Sequence, residues 1–381
     1  MIVEIRGIHF ENKGSELMLY AVVQKLSEWN NDNTVAMRFK AETFRKRAEA
    51  GLYQLLYSDR KSHFSNQVTE SIVNFLPKSL ISSLGITTYS KINAVLDASG
   101  FAYSDQWGAK KSAVMADLAK RMSKQGKKVI LLPQAFGPFD EPEVKSNFLQ
   151  VLENSHLIFA RDPISYKCLV DLGGSSSHIK MAPDFTNLVK GRVPDYFERD
   201  KKRACIIPNV RMIDKNSANV ADSYLQFLEI CTELLVEAEL NPFILVHDFA
   251  DEELALQLQE KFGGSLEVII EQNPLNLKGI LGNCYVVVSS RFHGLISALS
   301  QGVPCLATGW SHKYRMLFED YASPECLVYS LDSREEIESK LKLIIEEPSR
   351  SGLIARLQTT GMEQKALASE MWTEVYKVLV A

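Results

Sequence analysis

The sequence predicts an α/β fold of two doubly wound, Rossmann-like domains facing a cleft, and three observations carry that expectation. Short β-branched runs recur along the chain, each closed by Gly, Pro, Asn or Asp and followed by a stretch of helical periodicity. Runs such as KKVILLP, ACIIP and YVVVSS are apolar at consecutive positions, as strands buried on both faces of a parallel sheet must be. The series stops and restarts, with the charged, Gly- and Pro-containing residues 189–203 (VKGRVPDYFERDKKR) between its halves.

The first series places strands at residues 2–8, 34–39, 94–98, 128–132 and 157–160. The first strand runs into GIHFENKGSELML, where Asn12, Gly14, Ser15 and Glu16 lead into a helix whose N–H groups suit an anion. That loop has neither GxGxxG nor GKS/T, so it is neither a dinucleotide fingerprint nor a P-loop. Residues 41–92 interrupt the order: AETFRKRAEAGLYQLLYSDRK is helical and basic, and SNQVTESIVNFLPKSLISSLGI is amphipathic. They read as a solvated helix pair, or as a peripheral contact with an anionic lipid surface. The third strand ends in DASGFAYSDQWG, where Ser99 and Gly100 permit close backbone approach, and the fourth in the rigid turn LPQAFGPF. After the fifth, ARDPISYKCLVDLG puts Arg161 and Asp162 at a strand end, and MAPDFT adds Asp184. Arg161 is either the partner of Asp162 or the planar fork of an anion clamp.

The second series places strands at residues 204–207, 242–246, 266–270, 285–288 and 304–307. IPNVRMID sets Arg211 just beyond the first of these, and LVHDFADEE sets His247 and Asp248 beyond the second. In SSRFHGLISALSQGVPCLATGWSHKY, Ser289 and Ser290 break a strand, Arg291, Phe292 and His293 form a turn, and Gly294 begins a helix ending at Gly302. Residues 309–314 then form a loop carrying His312 and Lys313. The expected organisation is a domain over 1–190, a linker over 191–203, a second domain over 204–354, and a helix over 355–381 packing across the two.

Composition narrows the class. With 46% hydrophobic and 24% charged residues the chain is globular rather than disordered, and a net charge of −4 argues against a nucleic-acid partner. The start MIVEIRGIHFENKGSELML lacks the basic, apolar and small-residue segments of a secretory signal, and no apolar run is long enough to span a membrane, so a cytoplasmic protein is expected. Six cysteines without CxxC or CxxH spacing predict reduced thiols and no metal site.

Arg291, His293, His312 and Lys313 follow two neighbouring strand ends and converge on one helix amino terminus, an arrangement suited to a small, multiply negative ligand. This stretch resembles the signature of the polysaccharide pyruvyl transferase family: an Arg-x-His turn, a short helix ending in Gly-Val-Pro, and a lysine after the next strand. The Asn-x-Gly loop, the Gln-x-x-Gly-Pro turn in LPQAFGPF, and the Arg-Asp and Pro-Asp elements extend the resemblance over most of the chain. It implies a glycosyltransferase B-type architecture and transfer of a pyruvyl group from phosphoenolpyruvate to sugar hydroxyls as a ketal. Phosphoenolpyruvate would then be a co-substrate, with no cofactor, and a glycan or lipid-linked sugar the acceptor.

Arg291 and His293 are expected to be catalytic, and Arg161, Lys313, Arg211 and His312 to bind the donor; the resemblance covers Arg161, Arg291, His293 and Lys313, and Arg211 more loosely, while His312 is expected from its place beside Lys313. Phosphoenolpyruvate carries a phosphate and a carboxylate close together, so fixed cations are needed to hold and orient it. His293 is expected as general acid or phosphate donor, because histidine changes charge near neutral pH. Asp184, His247 and Asp162 are the alternatives for the group that protonates the methylene carbon. The acceptor side is expected around Asn12, Gly14, Ser15, Glu16, Ser99 and Gly100, where GSE replaces the family's more common Gly-Asp-Glu. The alternative is a nucleotide-sugar glycosyltransferase of the same fold, with Trp310 or Phe249 to stack a base.

Overall fold

The computed structural model describes residues 1–38, 44–57, 63–173, 177–199, 201–214, 218–309 and 311–381. It resolves into two compact units: Met1–Phe10, Met18–Asp184 and Glu370–Ala381 form the first, and Glu11–Leu17 with Phe185–Ser369 the second.

The first unit is built on strands β1 (Ile2–Arg6), β2 (Thr34–Arg38), β3 (Tyr53–Leu55), β4 (Ile86–Thr87), β5 (Ala94–Asp97), β6 (Lys128–Gln134), β7 (Leu157–Ala160) and β8 (Ile179–Met181). All pair in parallel, in the order β4-β3-β2-β1-β5-β6-β7-β8. Helices α1 (Lys13–Trp29), α2 (Phe44–Glu49), α3 (His63–Asn74), α4 (Lys78–Ser83), α5 (Ala109–Lys124), α6 (Pro142–Asn154) and α7 (Pro163–Gly173) alternate with them, the first turn of α1 belonging to the second unit. Every residue of β5 and β7 is buried, which is why these segments are apolar at consecutive positions up to Asp97 at the end of β5. Each such aliphatic side chain contributes about 1.5–3 kcal/mol on leaving water.

The second unit has strands β9 (Ala204–Ile207), β10 (Phe243–Leu245), β11 (Glu267–Ile269), β12 (Val286–Ser289) and β13 (Cys305–Ala307), parallel in the order β11-β10-β9-β12-β13. Its helices are α8 (Arg211–Asp214), α9 (Ala218–Glu237), α10 (Glu252–Lys261), α11 (Pro274–Leu281), α12 (Phe292–Leu299), α13 (His312–Asp320) and α14 (Arg334–Ile345), followed by α15 (Ser349–Val380). The chain runs from β9 outward through β10 and β11, then returns to lay β12 on the other side of β9. That reversal makes the carboxyl ends of β9 and β12 the place where such sheets bind ligands.

Three features differ from expectation. Residues 41–92 contribute two short strands, β3 and β4, as well as the helices α2 to α4, and β8 adds a further strand. The described part of residues 191–203, the expected linker, packs on the second unit. Gly191 lies so close to α11 that a Cβ there would meet the Gly279 nitrogen at 2.5 Å. The Arg192 amide donates to the Leu275 carbonyl, the Tyr196 hydroxyl donates to Glu271 at 2.6 Å, and Phe197 enters the second unit's core. The last helix begins at Ser349, six residues before the expected start, and its Glu370–Val380 portion belongs to the first unit, where Trp372 meets Trp29 edge-on at 5.8 Å. No helix among the described residues is long and apolar enough to cross a membrane.

Candidate active site

The site grows from the turn after β12. The Ser290 carbonyl accepts hydrogen bonds from the Asn209 side chain at 2.6 Å and the Tyr314 hydroxyl at 2.7 Å, and the Ser290 hydroxyl lies 2.9 Å from that of Tyr224. The Arg291 amide donates to the Ser289 hydroxyl at 2.9 Å, which fixes Arg291 in an extended conformation as the cap of α12. The helix therefore starts at Phe292, two residues before the glycine expected to begin it.

The cap brings its guanidinium into the protein. Arg291 Nε donates to Asp251 Oδ2 at 2.7 Å, Nη2 pairs with Asp251 Oδ1, and Nη1 donates to Asp248 Oδ2 at 3.1 Å. The Arg291 side chain is only 8% exposed and that of Asp251 fully buried, so a guanidinium here requires this pairing. Burial opposes the Arg291 charge, but the two carboxylates outweigh it and raise its pKa above the ordinary value. Burial also raises the Asp251 carboxyl, against the pull of Arg291. The Arg291 guanidinium, expected at a catalytic position, is thus already compensated by two carboxylates. These bonds hold the turn that leads into His293.

The amino-terminal loop joins this network. Asn12 Nδ2 donates to Asp248 Oδ2 at 2.9 Å, and the Lys13 amide donates to the His247 carbonyl at 3.2 Å. Asn12 Oδ1 accepts from the amides of Gly14 and Ser15 at 3.0 and 3.1 Å, capping α1. Those amides were expected to face an anion; they are satisfied by the cap instead. Lys13 and Glu16 form a buried pair at 2.8 Å, with the Lys13 ammonium 5.2 Å from the Phe249 ring. At Gly14 the backbone presses on His293, for a Cβ there would stand 2.5 Å from the His293 Cβ. Asn12, Gly14, Ser15 and Glu16 therefore belong with the Arg-x-His turn in the second unit, not with the first domain where the sequence reading put them.

His293 is half-buried, edge-on to Phe292 at 5.6 Å. Phe292 meets Tyr314 at 6.0 Å, and the Lys313 ammonium lies 5.5 Å from the Phe292 ring centre. His312 and Lys313 form the first turn of α13 rather than a loop, so two helix amino termini, after the paired strands β12 and β13, carry these side chains. His247, just after β10, is buried. Burial first, then the positive neighbours Arg291, His293 and Lys13, push its pKa well below the ordinary value, so it stands neutral at neutral pH. Its Nδ1 has no hydrogen-bond partner among the described residues.

The other expected residues are placed differently. Arg211 heads α8 and pairs with Asp214 of the same turn, while its amide donates to Asn209 Oδ1. In the first unit, buried Arg161 pairs with Asp184 at 3.4 Å, and the Asp162 carboxylate accepts from the Ser165 amide and hydroxyl. Ser99 donates through its hydroxyl to Asp97 at 3.0 Å, Asp97 also accepts from Tyr103 and Gln134, and the Gly100 carbonyl accepts from the Ala135 amide. Trp310 lies outside the described residues. Asp251, Asn209, Tyr224 and Tyr314 escaped the sequence reading. The only signals were a second aspartate three positions after Asp248 and an asparagine at the end of β9.

Two parallel, doubly wound units define the glycosyltransferase B class of fold, and solved structures of that class align along nearly the whole chain. A UDP-N-acetylglucosamine 2-epimerase from Neisseria meningitidis bound to UDP-GlcNAc is similar with a TM-score of 0.62 at 10% identity, covering 100% of both chains. A UDP-N-acetylglucosamine 2-epimerase from Rickettsia bellii gives 0.59 at 13% identity, covering 100% of this chain and 95% of its own. The spinosyn rhamnosyltransferase SpnG gives 0.54 at 13%, covering 97% and 99%. No curated protein sequence matches the chain. The family model for polysaccharide pyruvyl transferase matches residues 12–312, and the chain belongs to that family.

Proposed function

We propose that this enzyme transfers the pyruvyl group of phosphoenolpyruvate to two hydroxyls of one sugar in a polysaccharide or its lipid-linked precursor. The observation that supports the reading is that His293, and His312 with Lys313, stand in the first turns of α12 and α13, the helices that follow the paired strands β12 and β13, with Arg291 held by Asp251 at the cap of α12. Partial positive charge at both helix ends and the Lys313 ammonium favour a ligand carrying phosphate and carboxylate together.

In the ketal-forming step the methylene carbon takes a proton and a sugar hydroxyl adds to the neighbouring carbon. The bond from that carbon to the phosphate oxygen breaks, inorganic phosphate leaves, and a second hydroxyl closes the ring; of the two hydroxyl protons lost, one balances the proton gained by the methyl carbon and the other leaves on the phosphate. His293 acts as the acid or as the donor to the departing phosphate, and Lys313 and His312 hold the anion. Arg291 acts through its lock on the turn. Product analysis tests the reading: with phosphoenolpyruvate and a glycan acceptor, one phosphate is released for each ketal methyl signal that appears in the proton NMR spectrum. Phosphate release without a ketal would refute it.

A second reading, a nucleotide-sugar glycosyltransferase, draws on one observation: the partly exposed Phe249 ring beside Lys13, a surface on which a base stacks. It predicts tight UDP or GDP binding that Phe249→Ala weakens.

A further inference from the structure

The sheet of the first unit has a reversal of its own. The chain runs from β1 outward through β2, β3 and β4, then returns to lay β5 on the other side of β1, with Arg6 paired to Asp97. The carboxyl ends of β1 and β5 are therefore the place where an open sheet of this kind binds a ligand. What stands there is a set of hydrogen-bond acceptors. Asp97, only 1% exposed, takes the Ser99 and Tyr103 hydroxyls on Oδ2 and the Gln134 amide on Oδ1, each at 3.0 Å. With their protons spent on that carboxylate, Ser99 Oγ and Tyr103 Oη keep only lone pairs for any further bond. Buried Gln134 Oε1 accepts from no described residue. Gly7 lies against the set, for a Cβ there would stand 2.4 Å from Ser99 Oγ.

The chemistry of that set selects its ligand. An anion meets the Asp97 charge and no free hydroxyl proton, and neighbouring Arg6 is engaged by the buried Glu4 carboxylate at 3.2 Å. A neutral hydroxyl, which brings its own proton, is accepted. Aromatic surface lies beside it. Burial lowers the Lys111 pKa and the Asp97 carboxylate opposes that shift, so the two groups are neighbours, and the Lys111 ammonium is 5.1 Å from the centre of the Trp107 ring. Trp107 meets Phe101 edge-on at 6.1 Å, and both rings, like Ser99, are partly exposed. A sugar ring combines a hydroxyl edge with a C–H face that packs on such rings. We propose that the carboxyl ends of β1 and β5 bind a neutral sugar ring, with Ser99 Oγ accepting from one of its hydroxyls, Asp97 positioning that oxygen, and the Phe101–Trp107 pair against its C–H face. That this sugar is the acceptor of pyruvyl transfer rests on the function proposed above; the binding of the ring does not.

Saturation-transfer NMR on the full chain tests it, with the methyl β-glycosides of galactose, glucose and N-acetylmannosamine as probes. At least one of them gives a saturable signal with the wild type. Ser99→Ala, which removes one partly exposed hydroxyl, weakens that binding about fivefold or more, while phosphoenolpyruvate titrates as in the wild type. Asp97→Asn, which replaces the carboxylate that takes the Ser99 proton, weakens it too with the Ser99 hydroxyl still in place. Should that variant not fold, Ser99→Ala decides. Silence of all three glycosides, or equal affinity in the wild type and Ser99→Ala, overturns the inference. So does loss of glycoside and phosphoenolpyruvate together in Ser99→Ala, since the effect is then on the fold. Glycoside binding that Ser99→Ala weakens, with phosphoenolpyruvate silent on the wild type, keeps this site and rejects the donor reading; phosphoenolpyruvate binding with every glycoside silent does the reverse.

Discussion

Gly14 and His293 are in direct contact: a Cβ on Gly14 would fall 2.5 Å from the His293 Cβ and 2.6 Å from its Nδ1. The amino-terminal loop thus sets where the imidazole stands, although the two residues are far apart in sequence. Gly14→Ala forces His293 to move. Displacement of a reacting group by about an ångström lowers turnover on the order of a hundredfold. The expected result is that loss with thermal unfolding little changed, read from steady-state rates and a melting curve on the same preparation.

Asp251 is the principal partner of the Arg291 guanidinium. Asp251→Ala leaves a cation inside the second unit facing Asp248 alone, and removing one partner of a buried pair costs about 3–5 kcal/mol. The unfolding midpoint of the second unit in urea falls accordingly, while Asp214→Ala at the half-exposed Arg211 pair changes stability by less than about 1 kcal/mol.

Asn12 is at once the cap of α1 and a donor to Asp248. Aspartate caps helices as well as asparagine does, so by capping alone Asn12→Asp would be harmless and Asn12→Ala would cost about 1 kcal/mol. Here Asn12→Asp sets two carboxylates against each other in place of a hydrogen bond. It is therefore the more damaging substitution in both stability and turnover, and equal effects of the two would remove Asp248 from the account.

His247 gives the second unit a pH dependence of defined sign. Its folded-state pKa is depressed below the ordinary 6.5, so between those two values the unfolded chain binds more protons than the folded one. Its contribution is fully present above 6.5 and is lost as pH falls toward the folded-state pKa, with a slope of at most about 1.4 kcal/mol per pH unit. His156, lowered by burial and by Lys128 and His178, adds the same sign in the first unit. Denaturation midpoints at a series of pH values should therefore fall less steeply on acidification in His247→Gln than in the wild type.

What the sequence disclosed, and what it concealed, follows from how local each signal is. β12 and β9 were visible because strands buried on both faces are apolar without interruption. β3 and β4, three and two residues long, are too short for any periodicity to register, and they sit at one edge of the sheet. The start of α12 was missed because its cap is Arg291, whose backbone rather than its side chain makes the turn. The Arg-x-His pair and Lys313 were legible as chemistry. The state of Arg291 was not, since Asp248 and Asp251 approach it from 43 and 40 residues away. The same distance problem hid the loop at Asn12, which meets Asp248 across 236 positions.

The central claim is that the second unit's helix termini hold phosphoenolpyruvate through Lys313. Calorimetric titration of the wild type and Lys313→Ala with phosphoenolpyruvate, and with UDP and GDP, tests it most directly. Saturable binding of phosphoenolpyruvate by the wild type, weakened about tenfold or more in the variant, is the expected result, since a hydrogen bond to a charged group contributes about 1.5–3 kcal/mol. No comparable binding of either nucleotide is expected. Tight binding of a nucleoside diphosphate, with phosphoenolpyruvate silent, would contradict it and assign the site to a sugar nucleotide.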